Sequence, residues 1–234
     1  SIYKGIAKLP PAHYVVIGEG GRAVGEPQCY WDLHQVAGQG VANAAGEPEA
    51  LTDELDSLLR DAVAKRMAAD VPLGALLSGG YDSTTVAAMM QVQSERPVKT
   101  FSIGSHTESY NEALHAKAVA EHLGTEHTEL YVTPEDAMAV IPKLPCIYDE
   151  PFADSSQIPT FLVSRLARQH VTVALSGDGG DELFAGYNRH IVGPELWRKV
   201  SSLPRWARRA AGHSLDAIAQ RDVERWAGRL PRRF

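Results

Sequence analysis

Between residues 71 and 177 the hydrophobic positions fall into short unbroken runs separated by stretches with helical spacing. VPLGALL, VKTFSIG and VTVALSG are apolar runs of strand length, and EHTELYV is strand-like. DSTTVAAMMQVQ, SYNEALHAKAVAEHLG and IPTFLVSRLARQ, by contrast, carry their apolar residues at helical intervals. Strands that are continuously apolar and alternate with helices predict an α/β protein whose parallel sheet is covered by helices on both faces. Sheets of that kind bind ligands beyond the carboxyl ends of their strands.

Upstream the pattern differs. The opening segment SIYKGIAKLPPAHYVVIGEGGRAVGEPQCYWDL reads as two short strands around the turn formers Gly18, Gly20 and Gly21. Residues 35–47 are small and Gly/Ala-rich and read as a linker. A helix is expected from Pro48 to Ala69, with Leu51, Leu55, Leu58, Leu59, Val63 and Met67 at helical spacing. The expected organisation is therefore a short N-terminal β-hairpin over 1–34, a linker over 35–47 and one principal unit over 48–234.

Composition narrows the classes. With 234 residues, 44% hydrophobic and 22% charged, the chain is that of an ordinary globular protein, neither disordered nor built for a membrane. It shows no apolar run of bilayer length and no basic-then-apolar leader, which points to the cytoplasm. Cys29 and Cys146 are the two cysteines, far apart and without His neighbours, so they are expected as isolated core thiols rather than a disulfide or zinc site. His106, His115, His122, His127 and His190 have no ligand spacing and read as surface or packing residues.

The net charge of −6 is uneven: residues 1–186 hold 12 basic against 25 acidic side chains, and residues 187–234 hold 11 against 4. Arg205, Arg208, Arg209, Arg225, Arg229, Arg232 and Arg233 are interleaved with Trp197, Leu203, Trp206, Leu215, Ile218, Trp226 and Leu230. Amphipathic helices with solvated Arg faces account for this better than a nucleic-acid surface does.

Two loops carry candidate chemistry. In GALLSGGYDSTTV a buried strand runs through Ser78-Gly79-Gly80 directly into a helix, a geometry suited to an anion. Glycines let the backbone approach phosphate oxygens, the helix N-terminus supplies donors, and Ser78 and Ser83 add hydroxyls. Neither GxxxxGK[ST] nor GxGxxG occurs. Asp82 stands where a Walker lysine would be, and a carboxylate beside pyrophosphate implies a divalent cation between them, Mg²⁺. The plainer alternative is a strand-turn-helix connection with Asp82 or Ser83 as N-cap.

VTVALSGDGGDELFAGY repeats the design, with Asp178, Asp181 and Glu182 crowded into five residues. That crowding is costly unless cations lie nearby; the alternative is a calcium-like loop or an acidic helix start. A third segment, YDEPFADSSQ, gathers Asp149, Glu150 and Asp154 before a helix, read equally as function or as a turn capped by Ser155 or Ser156.

SGGYDS, followed about a hundred residues later by SGDGGDELFAGY, resembles the synthetase domain of glutamine-hydrolysing asparagine synthetases. IYKGIAKLPPAHY, FSIG and YDEPFADSS extend the resemblance over nearly the whole chain. SGGxDS alone marks the wider PP-loop ATP pyrophosphatases, whose fold is adenine nucleotide alpha hydrolase-like.

The resemblance implies that an aspartate side-chain carboxylate attacks the α-phosphate of ATP, pyrophosphate leaves, and ammonia derived from glutamine displaces AMP. It implies Ser78, Gly79, Gly80, Asp82 and Ser83 at the pyrophosphate, with Asp82 and Asp181 toward Mg²⁺. Leu76, Ser102, Ile103 and Gly104 match the adenosine pocket, and Ser176 and Gly177 lie near AMP. Asp178 falls where many members carry a glutamate proposed to take a proton from ammonia, and Asp181 matches a substrate-side carboxylate. A base in an acidic cluster is expected to have a raised proton affinity.

Departures from the family pattern are Asp178 for that glutamate, Tyr81 for an aliphatic residue, and Ser1 in place of the glutaminase half's N-terminal cysteine. The family's downstream lysine-bearing portion does not appear before Phe234, so the chain is expected to be a fragment. The partners implied are aspartate and ammonia, without nucleic acid or membrane, and with a homodimer as an allowed assembly. Cyclases that form β-lactams or cyclic peptides on the same scaffold, and a catalytically silent nucleotide-binding module, are the competing readings.

Overall fold

The computed structural model of the chain describes residues 1–43, 46–105 and 112–216. It divides into two compact units, one running Ser1–Gly177 and the other beginning at Asp178.

The first unit opens with an antiparallel hairpin of β1 (His13–Ile17) and β2 (Ala23–Cys29), its turn passing through Gly20 and Gly21 at positive φ. Next come α1 (Leu33–Ala42) and α2 (Pro48–Met67). The expected linker at 35–47 is thus helical through Ala42: the Asp32 side chain accepts from the amides of His34 and Gln35, a local cap that starts the helix despite its glycines.

The alternating pattern forms β3 (Leu73–Leu76), α3 (Tyr81–Gln91), β4 (Lys99–Ser105), α4 (Ala113–Leu123) and β5 (Glu126–Val132). Three short turns of helix follow: α5 (Pro134–Met138), a 3₁₀ turn (Ile141–Lys143) and α6 (Leu144–Ile147). Then come α7 (Gln157–Ala167) and β6 (Val173–Leu175). The four strands from β3 onward make one parallel sheet in the order β5-β4-β3-β6.

Period-two alternation sends β3 to two cores. Ala75 and Leu77 pack with Val63, Ala87, Met90, Ala116 and Ala120 from α2, α3 and α4. Leu76, on the opposite face, joins Phe101, Leu166, Ala167 and Val171 beside α7. Helices therefore cover both faces, as the continuous apolar runs require. Close packing is tightest where side chains are smallest: a Cβ on Gly74 would stand 2.7 Å from the Phe101 ring.

Neither cysteine is a core thiol. Cys29 ends the hairpin and Cys146 lies on α6, both exposed; neither short element is wrapped by the sheet's two cores.

In the second unit, α8 (Gly180–Phe184) precedes α9 (Asn188–Ser201) and α10 (Arg205–Asp216). Arg189 lies over the Tyr187 ring at 4.0 Å and Arg208 over Trp197 at 5.6 Å, so basic side chains here cover aromatic surface. Arg225, Arg229, Arg232, Arg233, Ile218, Trp226 and Leu230 lie outside the described residues, as does His106. Among the described residues no helix is long and apolar enough to cross a membrane.

Candidate functional site

β3 and β6 are hydrogen-bonded neighbours running in the same direction, with Leu73 opposite Val173 and Ala75 opposite Leu175. Their carboxyl ends therefore open on one rim of the sheet, and the two Ser-Gly loops leave from adjacent strands. β4, on the other side of β3, brings Ser102, Ile103 and Gly104 alongside.

The first loop is shaped by its glycines. Gly79 has φ +82°, a region where a side chain is strained, and its Cα faces the first turn of α4. A Cβ there would stand 2.7 Å from the Ala116 amide nitrogen and 2.8 Å from His115. Gly80, in extended conformation, is the N-cap of α3, and no side chain caps that helix. Asp82 and Ser83 do not act as N-caps, contrary to the plainer reading. Ser83 instead turns back on the loop, its hydroxyl 2.9 Å from that of Ser78 and accepting from the Ser78 amide at 3.2 Å. The Gly80 amide in turn donates to the Ser78 hydroxyl at 3.3 Å.

The first turn of α3 therefore has no side-chain cap, and its amides carry the positive end of the helix dipole. Asp82, half-buried in the first turn, is the loop's carboxylate. The second loop closes against the first: a Cβ on Gly177 would lie 2.5 Å from the Ser83 amide nitrogen and 2.8 Å from the Asp82 carbonyl carbon. Ser176 and Gly177 are half-buried at this contact.

The adenosine-side candidates differ in access. Ser102 is 4% exposed, Gly104 is buried, and Ile103 and Leu76 are half-buried. Ser102 meets His127, whose ring is bonded on both sides: Nε2 is 3.1 Å from the Ser102 hydroxyl and Nδ1 is 2.8 Å from that of Thr100. This histidine, read from sequence as a surface or packing residue, thus reaches a candidate site position. The signal was available in the period-two spacing of Thr100 and Ser102 on β4 and of His127 and Glu129 on β5.

Within the second unit, Gly179 at φ +95° starts α8, with Asp181 and Glu182 in its first turn. Asp178 is exposed and Asp181 half-buried. The Tyr187 hydroxyl donates to Glu182 at 2.5 Å and holds its carboxyl below the usual carboxylate range. Proton affinity is therefore not raised at Glu182, because the hydrogen bond to its charged form outweighs the desolvation that opposes it. Among the described residues no group of three or more His, Cys, Asp and Glu side chains is arranged to hold a metal ion.

The YDEPFADSS segment lines a cleft of about 470 Å³ with Ile2, Tyr3 and Leu144. Glu150 pairs with Lys8 at 3.3 Å, and the Tyr3 hydroxyl donates to the Asp149 carbonyl. Neither Ser155 nor Ser156 caps α7 through its side chain; Asp154 accepts from the Ser156 amide at 2.8 Å and forms the turn.

The residues present suit a polyphosphate: an uncapped helix start, a glycine held at positive φ, and two Ser-Gly loops in contact. For Mg²⁺ the first loop offers Asp82, a sparse protein share of the kind usual when phosphates and water complete the shell.

An asparagine synthetase 2 of Methanocaldococcus jannaschii, so named putatively, is 39% identical over 209 residues, covering 89% of this chain and 39% of that protein. Asparagine synthetase [glutamine-hydrolyzing] 1 of Bacillus subtilis is 40% identical over 142 residues, covering 61% of this chain and 22% of that protein. The chain thus spans well under half the length of these relatives. The solved NH3-dependent NAD synthetase of Campylobacter jejuni aligns over 61% of this chain and 62% of its own, at 14% identity and a TM-score of 0.40. Residues 54–233 match the asparagine synthase family, and with the greater part of its length so matched, the chain belongs to that family.

Proposed function

We propose that this chain is the ATP-using part of a ligase that converts the side-chain carboxylate of aspartate to the amide of asparagine. A carboxylate oxygen forms a bond to the α-phosphorus of ATP, the bond from that phosphorus to the bridging oxygen breaks, and pyrophosphate leaves. Ammonia then forms the C–N bond, AMP leaves with its electron pair, and the proton released from nitrogen passes to a base. In this reading Ser78, Gly79, Gly80 and Ser83 hold the pyrophosphate through backbone and hydroxyl donors. Asp82 contributes to holding Mg²⁺, which when bound neutralises phosphate charge. Asp178 takes the proton from ammonia, and Asp181 serves the substrate and metal.

The observation that carries the reading is the adjacency of the two Ser-Gly loops at the ends of β3 and β6, with Gly177 against Ser83. Ligands of parallel sheets lie at such strand ends. Family membership narrows the reaction class, and the relatives' names, asparagine synthetase and glutamine-hydrolyzing, support asparagine as product and glutamine as nitrogen source.

The test is exchange of labelled pyrophosphate into ATP, with and without aspartate. Aspartate-dependent exchange is expected of the complete enzyme; ATP binding without exchange at any aspartate concentration would leave a nucleotide-binding module and remove the ligase.

A further inference from the structure

Beneath α4, where a sheet face is normally apolar, β4 and β5 carry a line of polar side chains. The parallel register sets His127 opposite Thr100 and Glu129 opposite Ser102. Thr100 is 0% exposed and Ser102 4%. The Thr100 hydroxyl lies 2.9 Å from that of Thr125 and 2.8 Å from His127 Nδ1, and Thr125 donates on to the Ala120 carbonyl at 3.5 Å.

That carbonyl only accepts, and with Thr125 donating to it the chain runs in one direction. Thr125 spends its proton on Ala120 and so accepts from Thr100. Thr100 then accepts from His127, which places the proton on Nδ1. Nε2 is left with a lone pair, and the Ser102 hydroxyl donates to it at 3.1 Å.

We propose that His127 is a positioning residue for the nucleotide site: as the neutral Nδ1–H tautomer it holds the Ser102 hydroxyl, and with it the backbone of Ser102, Ile103 and Gly104. The link to nucleotide rests on the proposed function and on the family resemblance, which matches Ser102, Ile103 and Gly104 to the adenosine pocket. Protonation converts Nε2 from acceptor to donor, so the Ser102 hydroxyl must reverse to accept from it, in competition with the Glu129 carboxylate, whose Oε1 is 3.9 Å away and attracts the imidazolium away from Ser102.

The charged groups facing the ring are Glu129 from β5 itself and Lys117 from α4; β4 presents the hydroxyls of Thr100 and Ser102. Burial, the largest influence, lowers the His127 pKa from its ordinary 6.5; Glu129 opposes this and Lys117 reinforces it. The contact with Glu129 is accordingly not an ion pair at neutral pH. The neutral, strand-holding form is complete above the ordinary value and is lost as pH falls through the lowered one.

The test follows the ¹⁵N shifts of the His127 ring and the amide shifts of Ser102, Ile103 and Gly104 from about pH 8 to pH 5, together with ATP-Mg²⁺ affinity. Expected are a protonated Nδ1, strand-end amides that move with the His127 titration, and an affinity roughly three- to tenfold weaker at the acid end. His127→Gln, whose amide can still accept from Ser102, should keep the neutral-pH affinity but lose the pH dependence; His127→Leu should be weak throughout. Amides that do not follow the ring, or an acid loss of affinity that persists in His127→Gln, would overturn the proposal. Amides that follow the ring in a protein that binds no ATP at any pH would sustain the positioning by His127 and overturn the nucleotide reading instead.

Discussion

Gly177 stands so close to Ser83 that a Cβ added to it would reach 2.5 Å from the Ser83 amide nitrogen. The neighbour is backbone at the start of α3 and has no rotamer through which to yield. Gly177→Ala must therefore push β6 from α3 and separate the two loops. A loss of about 1 to 3 kcal/mol is expected from overpacking, with loss of ATP binding beyond what the stability change explains. Melting and nucleotide titration read both, and an alanine variant that matches the parent in each would show the contact to be slack.

Gly79 and Gly20 form a matched pair. Both have positive φ, +82° and +96°, but a Cβ on Gly20 meets nothing within 4 Å while one on Gly79 meets the backbone of α4. Alanine at either pays the left-handed strain, about 1 to 2 kcal/mol. Gly79→Ala should be worse by the packing overlap and should weaken ATP binding, whereas Gly20→Ala should affect stability alone. Equal melting shifts for the two would count against the close approach to α4.

Asp82→Asn should leave the melting temperature nearly unchanged, because the half-buried carboxylate caps no helix. It should weaken ATP-Mg²⁺ binding by more than tenfold, on the order expected when a charge-assisted metal contact is lost. Calorimetric titration with ATP, with and without Mg²⁺, checks this. Equal affinities for the variant and parent in the presence of Mg²⁺ would remove Asp82 from the metal.

The Glu182 carboxyl, held low by the Tyr187 hydroxyl, gives a pH prediction of definite sign. A depressed carboxylate pKa contributes stability above the unfolded-state value, lost as pH falls through the folded one. Tyr187→Phe should raise the Glu182 pKa toward its ordinary 4.5 and shrink that acid-side loss. Carboxyl ¹³C titration by NMR measures it directly; an unmoved Glu182 would assign the depression to the backbone hydrogen bond it accepts, with Arg189 and His190, instead.

Much of the fold was legible in the chain because its signals are local. Continuous apolar runs such as VPLGALL mark strands buried on both faces, and the helical spacing within DSTTVAAMMQVQ needs no distant residue to be read. The two Ser-Gly loops announced themselves in the same way. The α1 helix was missed because its Gly/Ala composition resembles a linker, while the deciding cap at Asp32 is one side chain.

What the amino-acid order determined by itself was the alternation of elements, the strand ends that carry serine and glycine, and the family to which they point. Only tertiary structure decided that β6 lies next to β3, that Gly177 meets Ser83, and that His127 is bonded to Ser102 rather than merely packed. The reason is physical: periodicity reports which face of an element is buried, but which strands are neighbours, and so which side chains meet, depends on long-range pairing that no short window of sequence contains.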